Sequence, residues 1–358
     1  MRNGVILIPA LNPPASLTDY VQGLIRQGFE AVIIIDDGSG PEYQAIFEKI
    51  GKWKECRILK HAVNMGKGRA LKNGFNHYLN TCGNYKGVIT VDSDGQHLIE
   101  NVIEMDKALK GSGGGLKLIL GSRDFGKAGI PFRSRFGNKL TSKMFRWLYG
   151  MKIADTQTGL RSFTNDVLHY FVTLPGERFE YETNMLLEAK RRGIVVEEVP
   201  IETVYNNQNK GSHFHPVRDS VRIYVLLLKE FVRFVMVSLS SFAADIALFH
   251  MFGAVLSGNS LSVQIYGATI GARMISSLYN CMLNRCVVFK SHAPVKQAVV
   301  KYYALCAAQM LCSAGIVFAI CRRRPVSRLL VKACADTALF FLSYRIQRDY
   351  VYREDAVR

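Results

Sequence analysis

The sequence predicts an α/β domain built on a mostly parallel, Rossmann-like sheet, followed by an all-α transmembrane domain. Short apolar runs recur between helix-length segments, at Gly4–Ile8, Ala31–Ile35, Arg57–His61, Val88–Val91 and Lys117–Leu120. Runs of this kind read as buried strands, and their alternation with helices builds parallel sheets. Most of them stop at acids, glycines or an arginine, the residue types expected at the carboxyl edge, where open α/β sheets bind ligands. The membrane half rests on a third observation. Apolar residues make up 49% of the 358 residues, yet beyond about residue 231 they gather into four long stretches with few charges.

Strand one runs into Pro9-Ala10-Leu11-Asn12-Pro13-Pro14, and a helix over about Leu17–Gln27 follows, with Ser16 as its cap. Strand two ends in Asp36-Asp37-Gly38-Ser39, where the carboxylates suit a base or ribose as well as an ordinary acidic turn. A helix from about Tyr43 to Ile50 leads to strand three. Asn64-Met65-Gly66-Lys67-Gly68-Arg69-Ala70 then opens another helix, and its two glycines would let backbone amides approach a phosphate, with Lys67 or Arg69 adding charge. This is not a Walker A loop, because the spacing differs and no Ser or Thr follows the lysine.

Strand four carries the chemistry. It leads into Asp92-Ser93-Asp94-Gly95-Gln96-His97, and strand alternation puts Asp92 and Asp94 on one side. Two carboxylates this close repel unless a hard divalent cation or a cationic side chain sits between them. Mg²⁺ or Mn²⁺ there would hold the phosphates of a nucleotide. A plain strand-to-turn junction uses the same residue types. A helix over about Leu98–Leu109 and a glycine-rich segment, Gly111–Gly115, precede strand five, which ends in Gly121-Ser122-Arg123.

The net charge of +17 suits an anionic partner. Beside apolar spans, a membrane surface is a simpler partner than nucleic acid, for which the sequence offers neither an aromatic RNA-binding motif nor zinc-knuckle spacing. None of the eight cysteines forms C-x-x-C, so they read as packing residues in a reducing compartment. A strand begins at once, without a signal-peptide pattern, which places the first domain on the cytoplasmic side.

In Pro216–Phe231, the residues Val217, Val221, Tyr224, Val225 and Leu228 recur at helical spacing, with Arg218, Arg222 and Lys229 elsewhere around the helix. That pattern fits an interfacial amphipathic helix, or an ordinary core helix. Four spans follow, at about Phe234–Leu256, Leu261–Phe289, Lys301–Ile320 and Leu329–Ile346. Asp245 and Arg273, inside the first two, should pair or face a polar path. Lys332 and Asp336 are spaced to pair within one helix. Gly267, Gly271, Ala272, Ser276 and Ser277 suit close helix packing. With the first domain cytoplasmic, Arg285, Lys290, Lys296, Lys301, Arg345, Arg348 and Arg353 fall inside, as the positive-inside rule requires. Arg322-Arg323-Arg324 with Arg328 break that rule, so they bind headgroups or the last two spans form a re-entrant hairpin.

The first domain resembles the family 2 glycosyltransferases of GT-A fold, in particular dolichol-phosphate mannose synthase and its bacterial polyprenyl-phosphate relatives. The resemblance rests on the Pro9–Pro13 turn, Asp36-Asp37-Gly38-Ser39, Asn64-Met65-Gly66-Lys67-Gly68, Asp92–His97, Gly121-Ser122-Arg123, Asp155-Thr156-Gln157-Thr158-Gly159-Leu160-Arg161, Arg178-Phe179-Glu180-Tyr181-Glu182 and Ser212-His213-Phe214, in the family's order. It implies that Asp36 or Asp37 holds the nucleoside, and that Pro9, Asn12, Asn64, Lys67, Asp92, Ser93, Glu180 and Glu182 line the nucleotide-sugar site. Asp92, Asp94 and Gln96 would bind Mg²⁺ or Mn²⁺, with Asp94 and Arg123 in catalysis. Asp155 would serve as the base or as an orienting group, since an ionised lipid phosphate needs little base assistance. Arg123, Arg133, Arg135 and His213 would meet the acceptor phosphate, although Arg133, Arg135 and Arg146 also suit a solvated basic face near headgroups. Pro13-Pro14 depart from the family, where glutamates are common.

The second half resembles the GtrA-like family of four-span membrane proteins, through Phe234…Ser241…Asp245, Ala272–Ser276, Asn280…Asn284-Arg285…Val288-Phe289-Lys290 and Lys332…Asp336…Ser343-Tyr344-Arg345…Gln347-Arg348. The resulting division is 1–215 for the transferase, 216–231 for the interfacial helix, 232–350 for the membrane domain and 351–358 for a basic tail. Together the resemblances imply an inverting, multi-pass membrane enzyme moving one sugar from a UDP- or GDP-sugar to a polyprenyl phosphate at the cytoplasmic face. Whether it forms a homo-oligomer stays open. A lipid-linked sugar transporter or scaffold with a nucleotide-sugar-sensing domain is weakened by the complete set of acids and arginines. A processive polysaccharide synthase is weakened by the lack of a Q-x-x-R-W motif.

Overall fold

The computed structural model describes residues 2–111, 115–126, 132–202, 215, 217–323 and 326–353. Two compact units divide the chain, Met1–Leu227 and Leu228–Arg358.

The first unit is a seven-stranded sheet in the order β3-β2-β1-β4-β6-β5-β7. Its strands are β1 (Gly4–Ala10), β2 (Val32–Asp36), β3 (Cys56–Lys60), β4 (Gly87–Thr90), β5 (Lys117–Arg123), β6 (Arg161–Thr164) and β7 (Val195–Ile201). The helices between them are α1 (Leu17–Arg26), α2 (Gln44–Ile50), α3 (Lys67–Thr81), α4 (Ile99–Lys110), α5 (Phe132–Met144), α6 (Asn165–Val172) and α7 (Glu180–Arg192). Strand β6 alone runs against its neighbours β4 and β5. The mostly parallel α/β sheet predicted from the five apolar runs is therefore present.

Every residue of β1, β2 and β4 is buried, as strands covered on both faces must be. Ile6 and Ile8 face a cluster that includes Val21 and Leu24 of α1 and Met105 and Leu109 of α4. The register sets Ala10 beside Asp36 and Asp36 beside Lys60, so the carboxyl ends of the three parallel strands meet at one edge. The loops after β1, β2 and β4 all leave from that edge.

Three details differ from expectation. Ser16 makes no side-chain cap bond and is already helical in φ and ψ. The entry to α1 is instead closed by backbone bonds from Leu17 to Pro14 and from Thr18 to Ala15. Strands β6 and β7 carry no apolar run. β6 is Arg-Ser-Phe-Thr, and β7 is a half-exposed edge strand that tolerates Pro200.

The second unit contains α9 (Leu261–Leu283), α10 (Val295–Arg323) and α11 (Arg328–Ile346), together with most of α8 (Arg218–Val255). The interfacial helix and the first span are not separate elements. Helix α8 is continuous over 38 residues, about 57 Å at 1.5 Å per residue. Helices α8 and α10 are long and apolar enough to cross a bilayer; α9 and α11 are shorter and less apolar. The charges within the apolar helices are paired as expected. Arg273 Nη2 lies 3.2 Å from Asp245 Oδ2, and Lys332 Nζ lies 2.9 Å from Asp336 Oδ2.

A polar ladder ties the four helices together. Asn280 Nδ2 donates to Ser241 Oγ at 2.9 Å, Asn284 Nδ2 donates to Gln347 Oε1 at 3.1 Å, and Ser343 Oγ donates to Gln309 Oε1 at 3.3 Å. Around it Phe231 stacks on Phe341 and Phe234 packs against Phe340, with centroids 5.6 and 5.1 Å apart. All eight cysteines are free.

Candidate active site

Backbone hydrogen bonds fix the loops after β1 and β2 against each other. Asn12 adopts φ 44°, uncommon outside glycine. Its amide donates to Ser39 Oγ at 2.9 Å, and its Oδ1 accepts from the Gly40 amide at 3.0 Å. Pro9 is buried in β1, opposite Ile35. The two acids of this edge are occupied from within the fold. Asp36 accepts from the Ser39 amide at 2.8 Å and Gln44 Nε2 at 3.3 Å. Asp37 takes His61 Nδ1 at 2.7 Å and the amides of Met65 and Gly66 at 2.9 and 2.8 Å. Because Asn73 Nδ2 lies 2.8 Å from His61 Nε2, the network assigns the proton to Nδ1. Both acids are more than nine-tenths buried. In this structure they shape the turns beside the edge, and the exposed Asn64 lies on the loop that Asp37 pins.

Gly66 and Gly68 have a reason other than the one their spacing suggests. Gly66 has φ +101°, and a Cβ there would overlap the Glu177 carbonyl; at Gly68 a Cβ would lie 2.6 Å from Tyr181 Cβ. The bare backbone makes room for the 177–181 segment. That segment is held by Glu180 Oε1, which accepts from the amides of Glu177 and Arg178 at 3.2 and 3.3 Å. Glu180 thus closes this turn through one carboxylate oxygen.

The packing brings Lys67, at the start of α3, to the centre of the site. Its Nζ lies 2.7 Å from Asp92 Oδ1 and 3.1 Å from Glu182 Oε1. Burial disfavours the ammonium, but Asp92 and Glu182 outweigh it and hold the lysine above its ordinary range. Asp92 is the mirror case: burial pushes its carboxyl up, and Lys67 followed by His97 pulls it well below the usual carboxylate range. His97 Nε2 stands 3.4 Å from Asp92 Oδ2. Asp94 differs. Burial, then the charge of Asp92, raises it, against the Gln96 amide, 3.1 Å from Oδ1, and the charges of His97 and Lys67. Ser93 is half-buried between the two.

Among the described residues no three His, Cys, Asp or Glu groups gather as a ready metal set. The fit of a divalent ion therefore rests on Asp94. Its raised carboxyl makes no direct ion pair among the described residues and stands next to a second carboxylate. Two hard oxygen donors that need phosphate oxygens to complete a shell suit Mg²⁺ or Mn²⁺, and not a metal that prefers thiolate or imidazole. The residues present fit such an ion.

The other wall is the 154–160 loop between α5 and β6. Arg123 Nε and Nη2 donate to Asp155 Oδ2 and Oδ1 at 2.6 and 3.1 Å. Asp155 is fully buried and also accepts from the Gln157 amide at 3.1 Å. Its carboxylate is committed to holding Arg123. Three residues to which the sequence reading gave no role hold the loop. Asn138 accepts from the Thr156 amide at 3.0 Å and donates to Ala154 O at 2.6 Å. Glu198 accepts from the amides of Ala154 and Asp155 at 2.9 and 3.3 Å. Arg161, almost wholly buried, donates to the carbonyls of Thr158 and Glu182, each at 2.9 Å. Burial lowers Arg161, while the charges of Glu182, Asp155 and Asp92 oppose that shift.

Gly159 closes the circuit, since a Cβ there would overlap the Asp92 carboxylate. Asp92, Lys67, Glu182, Arg161, Asp155 and Arg123 thus form one contiguous cluster. Arg135 is half-buried on helix α5, not in a loop. The side chain of Arg133, and Ser212-His213-Phe214, lie outside the described residues. Of the residues missed, only Arg161 and His97 carried a signal, each ending a quoted motif; Asn138 and Glu198 carried none.

Residues 5–168 match the model of glycosyl transferase family 2, and residues 233–352 match that of the GtrA/DPMS transmembrane domain. An uncharacterized protein of Methanocaldococcus jannaschii is 28% identical over 229 residues, covering 63% of this chain and 91% of its own length. The UDP-N-acetylglucosamine–dolichyl-phosphate N-acetylglucosaminyltransferase of Methanococcus voltae is 25% identical over 219 residues, 56% of this chain and 85% of that one. The dolichyl-phosphate beta-glucosyltransferase of Saccharomyces cerevisiae is 28% identical over 245 residues, 61% and 71% of the two.

Proposed function

Since the chain joins a family 2 glycosyltransferase domain to a GtrA/DPMS transmembrane domain, we propose that it moves a single hexosyl unit from a nucleotide sugar to a polyprenyl phosphate. The product is a lipid-phosphate-linked sugar with inverted anomeric configuration. The enzyme is a multi-pass protein of the cell membrane with its catalytic domain in the cytoplasm. Relatives that use dolichyl phosphate, with UDP-N-acetylglucosamine named as one donor, support a lipid-phosphate acceptor and a UDP sugar.

One observation carries the reading: the cluster that runs from Asp94 and Asp92 through Lys67 and Glu182 to the Arg123–Asp155 pair, beside the carboxyl edge of the sheet. Mg²⁺ or Mn²⁺ held by Asp94 with Asp92 would stabilise the charge of the departing nucleotide diphosphate. Lys67 keeps Asp92 ionised and oriented, with His97 on its other oxygen. Arg123, fixed in plane by Asp155, would meet phosphate through its guanidinium, the fork geometry suited to that group. A lipid phosphate is already ionised near neutral pH, so no residue need take a proton from it. Asp155, buried and saturated, acts as a positioning residue for Arg123. Asn12, Asp36 and Asp37 set the turns that border the nucleoside, with Asn64 and Ser93 at the rim, and Arg135 extends the acceptor side.

The test is transfer of radiolabelled sugar to undecaprenyl phosphate by the detergent-solubilised protein with Mg²⁺ or Mn²⁺. Donors are UDP-glucose, UDP-galactose, UDP-N-acetylglucosamine and GDP-mannose. One of them should give a product carrying a single sugar, and Asp94→Asn should abolish it with the fold intact. Absence of transfer from all four sinks the proposal.

A further inference from the structure

A large groove lies in the second unit, lined by none of the residues named in the candidate active site. It measures about 1060 Å³ and is walled by α8, α9, α10 and α11. Its lining follows α10 from Tyr302 to Arg322 and α11 from Arg328 to Gln347. Twenty residues of helix rise about 30 Å, the thickness of a bilayer's hydrocarbon core. The two helices run antiparallel, because Gln309 meets Leu339 while Ser313 meets Asp336. Arg322, Arg328 and Lys332 therefore gather at one end of the groove. Apolar walls such as Met310, Val317 and Phe340 extend from them.

These cations are under-compensated. Lys332 is paired with Asp336. Arg322 and Arg328 have no acid partner among the described residues, and Arg322 only leans on the Phe318 ring, 6.0 Å away. Arg322 suits the carboxyl end of α10. Arg328 does not suit its position: it occupies the first turn of α11, which holds no acid, where the helix dipole repels a cation and attracts an anion. A cation without a counter-charge, against the dipole, at the mouth of an apolar groove is the arrangement an anionic headgroup would satisfy. It also accounts for arginines that break the positive-inside pattern.

We propose that this groove binds a phosphate-bearing amphiphile, its phosphate on Arg328 and Arg322 with Lys332 beside them, and its hydrocarbon chain along α10 and α11. The site is separate from the acceptor site of the first unit and does not depend on it. The ligand is a polyprenyl phosphate, since the groove runs the full hydrocarbon thickness of about 30 Å, whereas the acyl chain of a bulk phospholipid covers about half of it.

The test is photo-crosslinking of the full-length protein in detergent with a diazirine-bearing farnesyl phosphate, followed by peptide mapping. Crosslinks should fall on α10 and α11 in addition to any on Met1–Leu227. The matching diazirine farnesol should label those helices weakly. Arg322→Gln/Arg328→Gln should reduce that labelling at least about tenfold, the order for losing charge-assisted pairs, without changing labels on Met1–Leu227. Arg328→Lys should largely retain it, and Lys52→Gln should change nothing. If the double variant elutes aberrantly, Arg328→Gln alone gives the readout. Stronger competition by undecaprenyl phosphate than by phosphatidylglycerol supports the polyprenyl ligand, whereas equal competition assigns the groove to bulk lipid and overturns the proposal. Labels confined to Met1–Leu227, or labels on α10 and α11 indifferent to the arginines or to the phosphate, overturn it. Loss of sugar transfer with the groove labels intact would count against the proposed function alone.

Discussion

Asp155→Asn separates a base from a positioning residue. The carboxylate accepts four hydrogen bonds, from Arg123 Nε, Nη2 and backbone amide and from the Gln157 amide. Asparagine keeps one acceptor oxygen and turns the other into an NH₂ group facing donors. At least one charge-assisted bond, about 1.5–3 kcal/mol, is lost, and the Arg123 charge loses its buried counter-ion. Stability should fall by about 3 kcal/mol. Transfer should fall by about 10²–10³-fold, the usual effect of losing a preorganised electrostatic group. The readout that distinguishes the roles is its form. With Arg123 misplaced, KM for the lipid phosphate should rise, and the pH–rate profile should keep its shape. Arg123→Gln should produce the same defect, and Arg123→Gln/Asp155→Asn should be no worse than either single change, since the two residues act as one unit. The double variant also removes both buried charges together, so it should melt higher than Asp155→Asn. An acid limb of the pH–rate profile that disappears in Asp155→Asn, with KM for the lipid unchanged, would refute the positioning role.

Three further outcomes follow from the same geometry. Lys67→Met leaves Asp92 and Glu182 facing each other without their shared cation, so the protein should lose about 3 kcal/mol of stability and nearly all transfer; wild-type activity would remove Lys67 from the site. Gly159→Ala forces a methyl into the Asp92 carboxylate, and transfer measured beside thermal melting should show activity falling far more than the melting temperature. Glu177 is the acid-sensitive contact. Burial raises it, but Lys72 and then Arg69 outweigh that and hold it below its ordinary value of 4.5. A depressed native value gives stability that is present above about pH 4.5 and is lost as pH falls further through the native value. Urea melts of Glu177→Gln should lack that part of the acid-side slope, and an unchanged slope would remove the contact's contribution.

The legible part of the fold was the part with no local alternative. β1, β2 and β4 are uninterrupted apolar runs buried on both faces, and nothing but a central strand accommodates them. β6 was illegible because Arg161, Ser162 and Thr164 are polar residues whose burial depends on partners far away in the chain. Much the same holds for the site. The acids announced themselves, because D-D-G-S and D-S-D-G end strands. Their roles did not. A carboxylate that accepts from a ribose and one that accepts from the amides of Met65 and Gly66 are the same residue in a sequence, and only the folded loop shows that Asp37 accepts from those amides. The glycines at 66 and 68 were ambiguous in the same way, since close approach was the correct inference and its object, the 177–181 backbone, was not available from spacing. In the membrane half, the charges of residues 216–231 mark a change of solvent, not a break in the backbone, so a compositional boundary was read as a helix boundary where α8 runs straight through. Composition reports what surrounds a segment, and backbone continuity depends on whether a proline, glycine or capping group interrupts the hydrogen-bond ladder. Between Arg218 and Val255 there is no proline, and the one glycine is Gly253, two positions from the end.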